Sequence, residues 1–582
     1  MLIDAPALAP GPTPTDAAPA GWLRRVWALP LRAHIAALAV VLGALVPVVG
    51  TGASFSADEG AAIIQAHELS SGRGWVVEHP VPEADPREAN YPLELSTRGA
   101  PGTAPFVKHP LYALLLAGAD RLGGVTAMVL LSVMGTLAAA ALAAALAARM
   151  GPRLARPTPW LVGLASPLVF DGYLVIAHTL GAAGAARAAV LALRAIDGRR
   201  PLACVVGVGA CVGLAVLVRN EAVFFALGLA VATGAIAVAR RHLAAAGVVV
   251  ASLTAAASAH LGEQEWIQRI LGGSAVGLPG GPGVTTGFVA GRLRSFALTW
   301  LRPGYGDPRL VEGALLVMVA ALVVGAVAVR RDPADRRTVV ALAAVVTGAG
   351  LLALIAGPTN LVPGLLVAFP VAATGLVTIR RRTLAPLAAR LALGTFAVFA
   401  LAVVASQYVT GGSGEWGGRY FALGLPVLAP VLVLTLATVG RPLDRRARRA
   451  ALGALVVCSA AMSVMGLASL RDTHRFTARL QATATQAGRA TGSDRPVMVA
   501  THGAIPRLAW ASFDEQRWLL ARPRGLAPLV DRLRAAGVAR FVLVTDEIER
   551  DAAELGSQVD VVSRASPPGG PNWQVLVVGT RP

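Results

Sequence analysis

The sequence predicts a mainly α fold: a polytopic transmembrane helical bundle of about 13 spans with a small extracytoplasmic α/β domain at the C-terminus. Three observations predict it. Apolar runs near bilayer length recur along most of the 582 residues, of which 55% are hydrophobic and only 15% charged. That composition excludes a disordered chain and an ordinary soluble protein. Arginine clusters fill alternate connections between the runs. Beyond residue 470 the pattern changes to short strand-like runs with a helix among them.

Taken in chain order, residues 1–30 read as a cytoplasmic N-terminus, rich in Pro and Ala and disordered over its first part. "GWLRRVWALPLR" then leads into an apolar run from His34 to Gly50. The run has the charge order of a signal peptide but no small-residue cleavage pattern, and more spans follow, so it reads as a retained signal anchor. Windows of bilayer length place spans near 33–50, 125–148, 158–173, 178–196, 201–218, 221–239 and 243–261. Further spans follow near 311–329, 338–356, 361–379, 388–407, 421–439 and 450–470, giving a transmembrane region over 31–470.

The connections fall into two alternating sets. One reads "RRVWALPLR", "RMGPRLARP", "DGRRP", "RRH", "RRDPADRR", "RRRTLAPLAAR" and "RPLDRRARR", all short and basic. The other holds 51–124, 173–178, 219–221, 262–310, 357–360, 408–420 and everything after 471. The positive-inside tendency puts the first set in the cytoplasm and the second outside, so every long connection is external. No cytoplasmic loop is large enough for a nucleotide site. The formal net charge of +19 would suggest nucleic acid in a soluble protein. Here the arginines lie between spans, so the excess is topology and nucleic acid is excluded as a partner. Cys204, Cys211 and Cys458 all lie inside apolar runs and form neither a metal quartet nor an external disulfide pair. In the C-terminal segment, 471–582, "RPVMVATHGA", "RFVLVTDE" and "WQVLVVG" read as strands and "LAPLVDRLRAAG" as a helix between two of them.

The stretches that carry chemistry lie on the external side. "SFSADEGAAIIQ" places Asp58 and Glu59 just past the first span. Ser56 to Glu59 fits a capping box, with Ser56 as N-cap, Glu59 at N3 and Asp58 favoured by the helix dipole. Consecutive helical residues point about 100° apart, so if Glu59 caps, Asp58 is left to act. Lys108, the only lysine in the chain, stands before the second span; it either snorkels toward headgroups or supplies a compact ammonium to a phosphate oxygen. Arg419 follows a Gly-rich turn beside Trp416 and Tyr420, where it either pairs with Glu415 or forks onto a lipid phosphate. Asp171, in "LVFDGYLVIAH", has no obvious local partner, whereas Arg219 and Glu221, in "LVRNEAVFF", satisfy each other in the plain reading. "GGSAVGLPGGPGVTTG" lacks the GK[ST] of a P-loop, and the external histidines show no HExxH spacing, so no metal ligand set is assigned.

Taken together, "DEG" after a first span, "KHPLYALLLA" leading into a second and "WGGRYFALGLP" before a later one resemble the GT-C superfamily of integral-membrane glycosyltransferases. The likeness is to the branch of protein O-mannosyltransferases and lipid A aminoarabinose transferases, over residues 30–240 and 410–440. It implies transfer of a sugar, with mannose and arabinose leading, from a polyprenyl-phosphate donor to a hydroxyl of an extracytoplasmic acceptor. It also implies a catalytic external loop at 51–124 and inversion at the anomeric carbon. Asp58 would be the base, with Glu59 and Asp171 as further acidic candidates. Lys108, His109 (where Pro is common), Arg419 and Arg219 would face the donor phosphate. No cofactor is implied, and a divalent cation stays open. The arginine-rich, lysine-poor composition points to a high-GC bacterium and its cytoplasmic membrane. The alternative is a lipid-linked-sugar transporter or flippase without catalysis, which predicts charges near span centres and paired half-repeats.

Overall fold

The structure, a computed structural model, describes residues 25–87, 89–93, 97–99, 102–272, 288–302, 363–406, 416–440, 444–522, 524–569 and 572–581, with positions 320, 323, 324 and 327. The helical part begins with α1 (Leu31–Val49), α2 (Ala57–Ser70) and a hairpin of β1 (Thr97–Gly99) and β2 (Gly102–Ala104). It continues with α3 (Pro110–Met150), α4 (Pro157–Leu164), α5 (Leu168–Asp171), α6 (His178–Ile196), α7 (Pro201–Val218), α8 (Ala222–Arg240) and α9 (Leu243–Ile270). Then come α10 (Phe288–Phe296), α11 (Leu365–Ala368), α12 (Pro370–Val377), α13 (Leu387–Ser406), α14 (Leu425–Val439) and α15 (Arg445–Ala490). Among the described residues, nine helices are long and apolar enough to cross a membrane.

The helix boundaries differ from the sequence reading in four places, each with a local cause. The run at 158–173 is two short helices, α4 and α5, because Pro167 disfavours helical backbone at Ser166. The run at 361–379 breaks in the same way between α11 and α12, at Phe369-Pro370. The helix that holds the second span starts at Pro110, ahead of the predicted 125–148, and Gly123 and Gly124 interrupt its helical backbone, Gly124 at φ 61°. A short arm from Pro110 to Leu122 therefore precedes the span proper, an arrangement that positive φ reserves for glycine. The last helix runs on to Ala490, about 69 Å in all at 1.5 Å per residue, and carries the chain to the C-terminal sheet. The runs at 311–329 and 338–356 lie outside the described residues.

Small residues let the spans approach closely. A Cβ on Gly135 of α3 would lie 2.5 Å from Thr179 Oγ1, and one on Gly228 of α8 would lie 2.4 Å from the Thr395 carbonyl oxygen of α13. Backbone contact of this kind is what holds helices together where lipid removes the hydrophobic drive. Replacing Gly228 by Val is expected to force α8 from α13, costing about 1–3 kcal/mol, read as a lowered melting temperature of the detergent-solubilised protein.

The C-terminal part is β3 (Val497–Ala500), α16 (Ile505–Leu508), β4 (Arg517–Leu520), α17 (Leu526–Ala535), β5 (Arg540–Thr545), α18 (Ile548–Leu555), β6 (Val559–Ala565) and β7 (Gln574–Thr580). Its sheet runs β4-β3-β5-β7-β6. β3 pairs parallel with β4 and β5, while β7 pairs antiparallel with β5 and β6. Three strands and the helix agree with the sequence reading; β4 and β6 are additional. The first loop packs on both faces of this sheet. Val81 and Ala84 join Leu529 and Leu533 of α17 on one side. Tyr91, Leu93 and Ile64 join Leu480 and Ala484 of α15 on the other. Asn90 also closes the edge of β4, its carbonyl accepting from the Leu520 N–H at 2.8 Å and its side-chain amide donating to the Leu520 carbonyl at 3.0 Å.

Candidate functional site

The site is built from the start of α2. Ser56 caps the helix as its spacing predicts: its hydroxyl accepts from the Glu59 N–H, and the Glu59 carboxylate reaches back. Glu59 is buried and accepts from the Phe55 N–H at 2.7 Å, the Ser56 N–H at 3.4 Å and, across the fold, the Val175 N–H at 2.7 Å. It is a tie between α2 and the segment before α6. Glu59→Gln weakens acceptors that serve several backbone donors and is expected to cost about 1.5–3 kcal/mol, checked by thermal denaturation in detergent.

With Glu59 turned into the fold, Asp58 faces a ring of cations. Lys108 Nζ stands 3.7 Å from Oδ1, Arg419 Nη1 3.7 Å from Oδ2 and Arg507 Nη1 3.9 Å from Oδ1. Each arrives from a different part of the chain. Lys108 lies between the β1–β2 hairpin and α3, in a segment fastened by the Phe106 N–H donating to Gln65 Oε1 at 3.3 Å. Arg419 follows Gly417 and Gly418, at φ 72° and 67°. A Cβ on Gly417 would lie 2.2 Å from the Pro167 side chain, so only glycine permits this turn. Trp416 anchors it by stacking on Phe170, ring centroids 6.0 Å apart. Arg507 comes from α16 in the C-terminal domain.

Arg219 completes the field at longer range. It pairs with Glu221, Nε to Oε2 2.8 Å and Nη2 to Oε1 2.9 Å. Its guanidinium lies 6.0 Å from the Tyr420 ring centroid, and that of Arg419 lies 5.0 Å from the same centroid. Burial pushes the Asp58 carboxyl up, but Lys108, Arg419, Arg507 and Arg219 together outweigh it and hold it below its ordinary value. Burial pushes the Lys108 ammonium down; Asp58 opposes that shift, the three guanidinium groups add to it, and the net is down. Among the described residues, Lys108, Arg419 and Arg507 stand around Asp58 and Arg219 pairs with Glu221, at the start of a helix that already favours anions.

Two candidates lie outside this ring. His109 is buried with its Nδ1 3.0 Å from Glu263 Oε1 of α9, so it pins the Lys108 segment to the bundle. Asp171, also buried, lies 3.4 Å from His178 Nδ1. Glu415, the sequence partner considered for Arg419, lies outside the described residues. Among the described residues, no three His, Cys, Asp or Glu side chains converge as a metal cluster would. The structure therefore unites Asp58, Lys108 and Arg419, with Arg219 behind them, and gives Glu59 and His109 bracing contacts.

No protein-family model matches the chain, and no curated protein sequence matches it. Solved structures do. ArnT from Cupriavidus metallidurans bound to undecaprenyl phosphate aligns at 13% identity over 96% of this chain and 98% of that one, with a TM-score of 0.50. The chain has the fold of this ArnT. The apo form of the same ArnT aligns over 97% and 98%, again at 13% identity, with a TM-score of 0.49. The archaeal oligosaccharyltransferase AglB from Archaeoglobus fulgidus, in complex with an inhibitory peptide and a dolichol-phosphate, aligns at 12% identity over 91% of this chain and 70% of that one, TM-score 0.48.

Within this fold, Arg507 is the site residue that sequence reasoning missed. It lies in "THGAIPRLAW", far from every span and without a motif of its own. The one trace in the sequence is Gly60, two residues past Asp58: a Cβ there would lie 2.0 Å from the Arg507 carbonyl oxygen.

Proposed function

We propose that this chain is a membrane glycosyltransferase that moves a sugar from a polyprenyl-phosphate donor to a hydroxyl of an extracytoplasmic acceptor, with inversion. The observation that carries the reading is the carboxylate of Asp58 set among Lys108, Arg419 and Arg507 at 3.7–3.9 Å. A lipid-linked sugar phosphate leaves as charge builds on its phosphate, and preorganised cations stabilise that charge. The acceptor hydroxyl must lose its proton as it attacks, which a carboxylate beside the phosphate can take. One base and direct displacement invert the anomeric carbon. The undecaprenyl phosphate held by ArnT is a ligand of the class this reading assigns. Basic connections on the other side orient the site outward.

A transporter that moves the same lipid without chemistry is the rival reading. The placement of the charged ring at the start of α2 and beside α3, rather than at span centres, favours catalysis. Purified protein supplied with radiolabelled polyprenyl-phosphate sugars and membrane acceptors tests the choice. Transfer of label to an acceptor, lost in Asp58→Asn protein that still melts cooperatively, supports catalysis. Equal transfer by both proteins removes Asp58 from the mechanism, and lipid translocation without transfer supports the rival.

A further inference from the structure

The C-terminal domain touches the site through one side chain. Arg507 is only 4% exposed, and its Nε and Nη2 both donate to the Gly503 carbonyl at 3.2 Å, which fixes the guanidinium on its own short turn. The remaining nitrogen, Nη1, projects to Asp58 Oδ1. The turn itself is seated on α2. Gly60 leaves room for the Arg507 carbonyl, Gln481 of α15 donates to the Leu508 carbonyl from the other side, and Ile505 packs in the same core as Ile64.

Burying a guanidinium is costly unless anions compensate it. Among the described residues, Arg507, Lys108 and Arg419 converge on Asp58 at 3.7–3.9 Å. All three stand beyond ordinary hydrogen-bond length from it, and they approach it from three different parts of the chain. We propose that Arg507 is a third phosphate-binding cation of this site, delivered by the C-terminal domain, so that docking of the Ile505–Leu508 turn against Gly60 completes the donor pocket. The proposal rests on the donor-phosphate reading above. The ligand chemistry is a phosphate monoester or diester oxygen, forked by Arg507 opposite Lys108 and Arg419.

The test is binding of decaprenyl phosphate to the full-length protein in detergent, measured by calorimetry, with inorganic phosphate as a second probe. Arg507→Ala is expected to weaken decaprenyl phosphate about 10–100-fold, and Arg507→Lys to recover part of that loss. Gly60→Ala leaves every charged residue in place but displaces the turn. It is expected to weaken binding similarly, and the double variant to be no worse than Arg507→Ala alone. This non-additivity separates delivery of the side chain from a general loss of stability.

Wild-type affinity in Arg507→Ala, with Lys108→Ala impaired, overturns the proposal and leaves the donor site standing. Unchanged affinity in both variants instead overturns the donor-phosphate reading itself. Should Arg507→Ala fail to fold, Arg507→Lys and Gly60→Ala decide: wild-type affinity in Gly60→Ala overturns the proposal, and weakened binding there with retained binding in Arg507→Lys supports it. Arg507-dependent binding of inorganic phosphate as tight as that of the lipid would assign the pocket to free anions and overturn the donor assignment. Lipid binding without it supports the proposal.

Discussion

Asp58→Asn is expected to lower sugar transfer by about 10²–10⁴-fold while decaprenyl phosphate binds at least as tightly as it does to wild-type protein. The two halves of this result have one cause. The carboxylate is the proton acceptor of the proposed reaction, so an amide removes the base without altering its volume. The same carboxylate also competes with phosphate for Lys108, Arg419 and Arg507, so removing its charge leaves the cations to the ligand. Single-turnover transfer and lipid titration on the same preparation check both halves. Lost transfer accompanied by lost binding would instead mean that Asp58 holds the site together.

Lys108→Ala and Arg419→Ala are each expected to lower transfer by about 10²–10³-fold, the usual effect of deleting one preorganised donor at a developing charge. They should also move the pH profile in a defined direction. The cations hold the Asp58 carboxyl below its ordinary value, and the base works deprotonated. The acid limb of kcat/KM, which reports the free enzyme, therefore lies below the ordinary carboxylate range. Removing either cation reduces the downward pull and shifts that limb to higher pH. In wild-type protein the bound donor phosphate offsets the same cations, so the acid limb of kcat is expected at higher pH than that of kcat/KM. Rates measured across the acid range at saturating and subsaturating donor check both statements. A limb unmoved by either substitution would show that Asp58 is not the titrating base.

Asp58, Lys108 and Arg419 were legible in the sequence because each is a charge at the end of an apolar run, where a charge needs a reason. The pairing of Glu59 with Ser56 was legible too, since a capping box is a local pattern; its third bond, to the Val175 N–H, is a product of tertiary structure. His109 shows the opposite limit. Its neighbour Lys108 joins the ring, yet its own partner, Glu263, lies 154 positions away, and no local pattern announces that contact. Arg507 was hidden for the reason that makes it informative: one arginine among many, in a segment that reads as ordinary α/β sequence, acquires its position only when the sheet is assembled on the first loop. Span boundaries failed where Pro167 and Pro370 interrupt otherwise uniform apolar runs, because hydropathy counts residues while helix continuity depends on backbone.

The sharing of hydrophobic cores between the first loop and the sheet has a consequence for biogenesis. Val81, Ala84, Tyr91 and Leu93 have their packing partners between Leu480 and Val578, so these early residues emerge from the ribosome long before anything exists to cover them. The bundle can insert span by span, but the loop that bears Asp58 waits until the last strands arrive. The ring around Asp58 is thus incomplete throughout synthesis and gains Arg507 only in one late step. A chain halted before β3 would be an inserted membrane protein whose Asp58 ring lacks Arg507, open to surveillance proteases while its apolar loop residues stay uncovered.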